Sequence, residues 1–227
     1  MMRLIAFFAI ALSLGGCSLS SSLGLAPSAP PVAYTLRPAQ NAAPAAPQAR
    51  WQLLVEEPST VSRFDTQRIA LGLGSRLDYY ADVAWADRLP ALVQSALVES
   101  FERSGKIESV AREAAGVRGD LSLKLDLREF QANYPTGNTD VPPEVRVRLA
   151  AKIVEPQRRE VVASENFETT VRSSSARLTD IAAAFDTASQ RALARVVEWT
   201  LIQGSGNLRT SNAAPPGGAA TGRARSR

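Results

Sequence analysis

The 227-residue sequence contains no histidine and only one cysteine. Lacking histidine, it lacks the commonest general base and the commonest metal ligand. One cysteine excludes an intrachain disulfide framework, and no Cys/His cluster exists to bind zinc. Lysine occurs only at Lys106, Lys124 and Lys152, none in an S-x-x-K arrangement, so a Ser–Lys nucleophile has no basis. No P-loop is present. Gly72-Leu73-Gly74 has the first two glycines of a dinucleotide loop, but Leu77 stands where the third belongs, and a turn or a close backbone approach is the better reading. The carboxylates are scattered and form no recognisable acid/base pair. The expectation is therefore a protein that is not an enzyme and has neither cofactor nor metal. Aromatic residues are 6% of the chain against 45% apolar overall, so the core must be mainly aliphatic.

Positive charge is present but unevenly placed. The formal charge of +4 arises from 26 basic and 22 acidic residues. Arg3, Arg209, Arg223, Arg225 and Arg227 lie near the two ends, and without them 21 basic residues face 22 acidic ones. The body is thus near neutral, and no nucleic-acid partner is indicated. Residues 204–227 read as a disordered basic tail, either simply solvated or weakly attracted to anionic lipid or peptidoglycan.

The first 17 residues read MMRLIAFFAIALSLGGC. Arg3 is a short positive region, and residues 4–14 form an apolar run interrupted only by Ser13. Eleven residues are too few to cross a bilayer core but suit a signal peptide. Leu14, Gly15 and Gly16 precede Cys17 in the manner of a lipobox, the recognition sequence of the bacterial lipoprotein signal peptidase. The expectation is removal of residues 1–16 and acylation of Cys17, anchoring the chain to a membrane, since each buried methylene contributes about 0.8 kcal/mol. Ser18, as a residue other than Asp after the cysteine, resembles the sorting pattern of lipoproteins exported to the outer membrane, facing the periplasm. Residues 17–32 are Ser/Ala/Pro-rich and read as a lipidated tether that spans up to roughly 50 Å when extended.

The body, residues 33–203, carries both hydrophobic periods. Strands are expected at 34–36, 51–56, 68–73, 77–81 and 106–112, with 38–48 a Pro/Ala-rich loop. Leu121, Leu123, Leu125 and Leu127 alternate with Ser122, Lys124, Asp126 and Arg128, a strand with one buried face. Val145 to Ile153 and Val161 to Val171 repeat the pattern and complete an antiparallel meander. A helix is expected over 87–104, with Asp87 as N-cap, Pro90 in the first turn and Gly105 at its end. Leu89, Leu92, Val93, Ala96, Leu97 and Phe101 form its apolar stripe. A second helix is expected over 178–203, stopped by Gly204. The predicted fold class is α+β, a two-layer sandwich of a mainly antiparallel sheet with two amphipathic helices on one face.

Two surface features carry open alternatives. Lys124, Arg128, Arg146, Arg148 and Lys152 make a basic outer sheet face, read either as solvated or as a docking surface for an acidic partner. Tyr79, Tyr80 and Trp85 either cap the core or form an aromatic edge that contacts a partner or a lipid.

Residues 79–105 (YYADVAWADRLPALVQSALVESFERSG), preceded by Tyr34-Thr35-Leu36 and the strand at Trp51, resemble the PqiC-like ABC-type transport auxiliary lipoproteins over roughly 33–203. The Ala/Pro-rich spacer between Leu36 and Trp51 and the Arg-bearing tail depart from that pattern. The resemblance implies association with an Mce-type system: an Mce-domain protein, an inner-membrane ABC permease and its ATPase. It also implies a cargo of phospholipid or another hydrophobic molecule moving between envelope membranes. An assembly or stabilising role in another envelope complex, for secretion or the cell wall, is the alternative. Self-association as a homo-oligomer through strand edges stays open.

Overall fold

The computed structural model describes residues 30–213, with side chains through residue 208. The division between the chain's two units falls after Pro31, and the described residues from Val32 onward belong to the second. All elements named below belong to it. Leu14, Gly15, Gly16 and Cys17, the tether up to residue 29 and the chain from 214 onward lie outside the described residues.

The strands are β1 (Val32–Tyr34), β2 (Ala49–Val55), β3 (Ser59–Thr60), β4 (Arg68–Leu73), β5 (Arg76–Trp85), β6 (Ile107–Arg112), β7 (Leu121–Tyr134), β8 (Glu144–Glu155) and β9 (Glu160–Arg172). The α-helices are α1 (Leu89–Ser104) and α2 (Leu178–Ala213). β7 is the spine of the single sheet. One of its edges carries the antiparallel meander β7–β8–β9, as the alternating leucines predict. Its other edge receives β2, β3 and β4 in turn, all parallel to it. β6 lies parallel to β2, β5 antiparallel to β4, and β1 parallel to β5.

The fold is α+β, but the sheet is mixed, with five of eight strand pairings parallel, and it curls into a half-barrel rather than forming a flat sandwich layer. Hydrophobic alternation reports which face of a strand is buried and says nothing about the direction of its neighbour, so the parallel returns to β7 left no trace in the pattern. Register shifts in four of the ladders supply local twist, the usual source of curl.

The helix α1 buries Leu89, Val93, Ala96, Leu97 and Phe101, with Leu92 packed beside them. Pro90 sits in its first turn, and Gly105 closes it at φ 60°, donating to the Glu102 carbonyl at 3.1 Å. Asp87 is not the cap. Arg88 holds that position, the Asp87 carboxylate accepts from the Arg88 N–H at 2.6 Å, and the Leu89 N–H is satisfied by the Thr66 carbonyl at 3.1 Å. A neighbouring loop does what a cap side chain would do.

Gly204 does not stop the second helix. α2 runs ten residues further than expected, to Ala213. A Cβ at Gly204 would lie 2.6 Å and 2.8 Å from two ring carbons of Trp51, so this glycine provides room for an indole packed against the helix. The Trp51 Nε1–H donates to the buried Ser205 Oγ at 3.2 Å, fixing the ring. The Ala/Pro-rich spacer is likewise part of the core: Leu36, Ala39, Ala42, Ala43 and Ala46 are buried, and the Ala39 N–H donates to Ser100 Oγ of α1 at 2.8 Å. Small side chains let an irregular backbone press closely onto helices.

Candidate functional site

Residues 79–90, within the stretch that carries the resemblance, span the end of β5 and the start of α1. Here β5 is longer than its partner: Ala70 pairs with Tyr79 but Arg68 with Ala84, so the single residue Ile69 faces residues 80–83. Asp82 takes a left-handed φ of 57° in this bulge. The bulge re-aims the aromatic side chains. Tyr79 donates its hydroxyl to the Arg63 carbonyl at 3.1 Å, and the Arg68 guanidinium lies 3.8 Å from its ring centroid. The Tyr80 hydroxyl is 2.8 Å from that of buried Tyr134. Burial, and then this hydrogen bond, push the Tyr80 phenol well above its ordinary pKa.

Trp85 is 3% exposed. Its ring meets Phe130 edge-on at 5.6 Å and Phe185 edge-on at 5.3 Å, which makes it a core anchor joining β5, β7 and α2. Tyr79 and Tyr80 are half-buried and keep part of their surface open. Arg88, just before α1, ties the corner down through ion pairs to Asp65 and, at 3.2 Å, to Glu57.

The basic outer face is largely neutralised from within. Lys124 pairs with Glu56 at 2.7 Å and Arg128 with Asp126 at 3.0 Å. Arg148 lies between its cross-strand neighbours Glu129 and Glu168, at 3.5 and 3.6 Å, and Arg146 also reaches Glu168 at 3.6 Å. Of the five, Lys152 is the one with no such pair among the described residues. Exposed pairs of this kind contribute about 0–1 kcal/mol each, and they leave little net field for an acidic partner.

Sequence reasoning missed Arg37 and Asp186. Arg37 follows Tyr34-Thr35-Leu36 directly. Its backbone N–H donates to Asp186 Oδ1 at 3.0 Å, and its guanidinium grips Oδ2 through Nε at 2.7 Å and through Nη2. Gln190 adds a bond to the same Oδ2 at 2.8 Å. The pair clamps the start of the spacer to α2 across 149 residues of sequence, and no local pattern announces it. Beside it lies an open polar groove of about 300 Å³ lined by Gln40, Thr187, Gln190, Arg191 and Ala194. Two apolar voids in the core, one under Leu36 and one between Tyr34, Tyr80 and Phe185, hold about 10 Å³ each, room for one water and not for an acyl chain. Among the described residues no cluster of three or more His, Cys, Asp or Glu could hold a metal, and no helix is long and apolar enough to cross a membrane.

These features define an α+β domain in which Arg37–Asp186, Arg88 and Trp85 hold distant segments together. The chain belongs to the family of ABC-type transport auxiliary lipoprotein components, whose profile matches residues 34–197. It is 32% identical over 171 residues to an uncharacterised protein of Bradyrhizobium diazoefficiens, an alignment covering 75% of this chain and 45% of that protein. The chain thus spans less than half the length of that relative. Its fold is similar to a crystal structure of a protein from Xanthomonas campestris, with a TM-score of 0.72 and 34% identity, covering 80% of this chain and 99% of the other.

Proposed function

We propose that this chain is a periplasmic lipoprotein held on the outer membrane by acyl chains at Cys17, where it serves as the auxiliary component of an Mce-type ABC transport system. Its partners are an Mce-domain protein and the inner-membrane permease with its ATPase. The cargo is phospholipid or another hydrophobic molecule passing between the envelope membranes. ATP is hydrolysed by the ATPase subunit. The observation that carries this reading is the family match over residues 34–197 behind a leader ending in Leu14-Gly15-Gly16-Cys17.

Two measurements test it. Mass spectrometry of the protein from envelope fractions should find Cys17 as an acylated N-terminal residue, and an intact leader or a bare thiol would refute the anchor. Affinity purification after mild crosslinking should recover an Mce-domain protein or its permease. Recovery of components of a secretion or cell-wall machine instead would transfer the chain to that alternative.

A further inference from the structure

Among the described strands, β9 pairs with β8 alone and ends the sheet. Such an edge is a template on which an identical strand of another copy can add. In an antiparallel ladder, alternate residues turn both backbone groups toward the neighbour, and the residues between turn theirs away. Asn166 and Glu168 are two apart and so point their backbone groups to the same side. Side chains satisfy one group of each residue. The Asn166 N–H donates to Glu165 Oε1 at 3.0 Å, and the Glu168 carbonyl accepts from Arg195 Nη1 at 2.8 Å. Arg195 belongs to α2 and reaches this carbonyl past Phe167, its guanidinium carbon 5.5 Å from the ring centroid. The Asn166 side chain is drawn aside by Arg128 Nη1 at 3.0 Å. A second copy laid antiparallel along β9 with Asn166 opposite Asn166 needs these same two groups, the N–H of Asn166 and the carbonyl of Glu168.

We propose that Glu165 and Arg195 form an edge guard, which keeps the body from pairing through β9 with a second copy of this chain. Association through other surfaces is unaffected by it. The test compares the full chain, purified from the envelope in detergent, with the Glu165→Ala/Arg195→Ala double variant by sedimentation velocity over a range of concentrations. The double variant should self-associate at a concentration at least about tenfold lower than wild type, the scale of one or two freed hydrogen-bonding groups, with unchanged circular dichroism. Adding Asn166→Pro, which removes the edge N–H, should return the wild-type profile. If that triple variant does not fold, Ser164→Lys, which places a charge on the edge, takes its place. The proposal fails if the double variant sediments like wild type. It also fails if association persists despite the edge-blocking substitution, or if Asn166→Pro alone dissolves an assembly that wild type already forms.

Discussion

The two helices each meet a glycine near their expected ends, and the two glycines do opposite things. Gly105 takes a left-handed φ of 60°, closes α1 and sends the chain into β6. Gly204 sits within α2, buried against Trp51, and the helix continues to Ala213. A glycine ends a helix when its backbone leaves the helical region, and it serves packing when the missing Cβ is what matters. From sequence the two are indistinguishable; the difference lies 153 residues upstream, in Trp51.

That contrast breaks most directly at Trp51. Trp51→Ala removes a buried indole and its bond to Ser205, and should lower the unfolding free energy by about 3–5 kcal/mol in urea titrations. Gly204→Ala comes next. Alanine improves helix propensity by about 1 kcal/mol, but the new methyl must displace a packed ring, so a net loss of about 1–2 kcal/mol is expected. The sign should reverse in the Trp51→Ala background, where the same substitution should stabilise by up to about 1 kcal/mol. Additive behaviour in that double-mutant cycle would mean that Gly204 is not there for the indole. At the other helix, Gly105→Ala places a Cβ in a left-handed backbone with no atom beyond its two chain neighbours within 4 Å, and a loss of about 1 kcal/mol is expected whatever stands at position 51.

The same distinction explains how much of the fold could be read in advance. The strands of the meander and both apolar helix faces were legible because one side of each meets the core and repeats with the element's own period. The parallel approach of β2, β3 and β4 to β7 was not, since strand direction is set by crossovers between distant segments. The spacer around Ala39 to Ala46 is the loop its composition indicates, but its burial was not legible, since alanine is also what a close-packed strap requires. At the candidate site, Trp85 was found by its clustering with Tyr79 and Tyr80, but whether it capped the core or faced outward depended on Phe130 and Phe185, which come from other elements. Arg37–Asp186 left no local mark at all, since its two halves meet only in the folded chain. The basic face looked charged because its neutralising partners, Glu56, Glu129 and Glu168, lie on other strands or in a loop.

The beginnings of the helices extend the comparison to pH. α1 starts without an acidic residue in its first turn and without a side-chain cap. α2 starts with Asp180, whose Oδ2 accepts from Ser175 Oγ and from Arg177 Nε and Nη2 at 3.1 and 3.0 Å. The Ser175 hydrogen bond first, then Arg177, hold this carboxyl below its ordinary pKa. A carboxylate depressed in the folded state adds stability that is present above the ordinary carboxylate range and is lost as pH falls through the lowered value. Asp180→Asn should therefore destabilise slightly at neutral pH, and the gap to wild type should close as the pH drops below about 4. Urea midpoints measured across that range decide it. Parallel curves for the two proteins would mean that the start of α2 is held by Arg177 packing and backbone contacts alone, as the start of α1 is held by the Thr66 carbonyl.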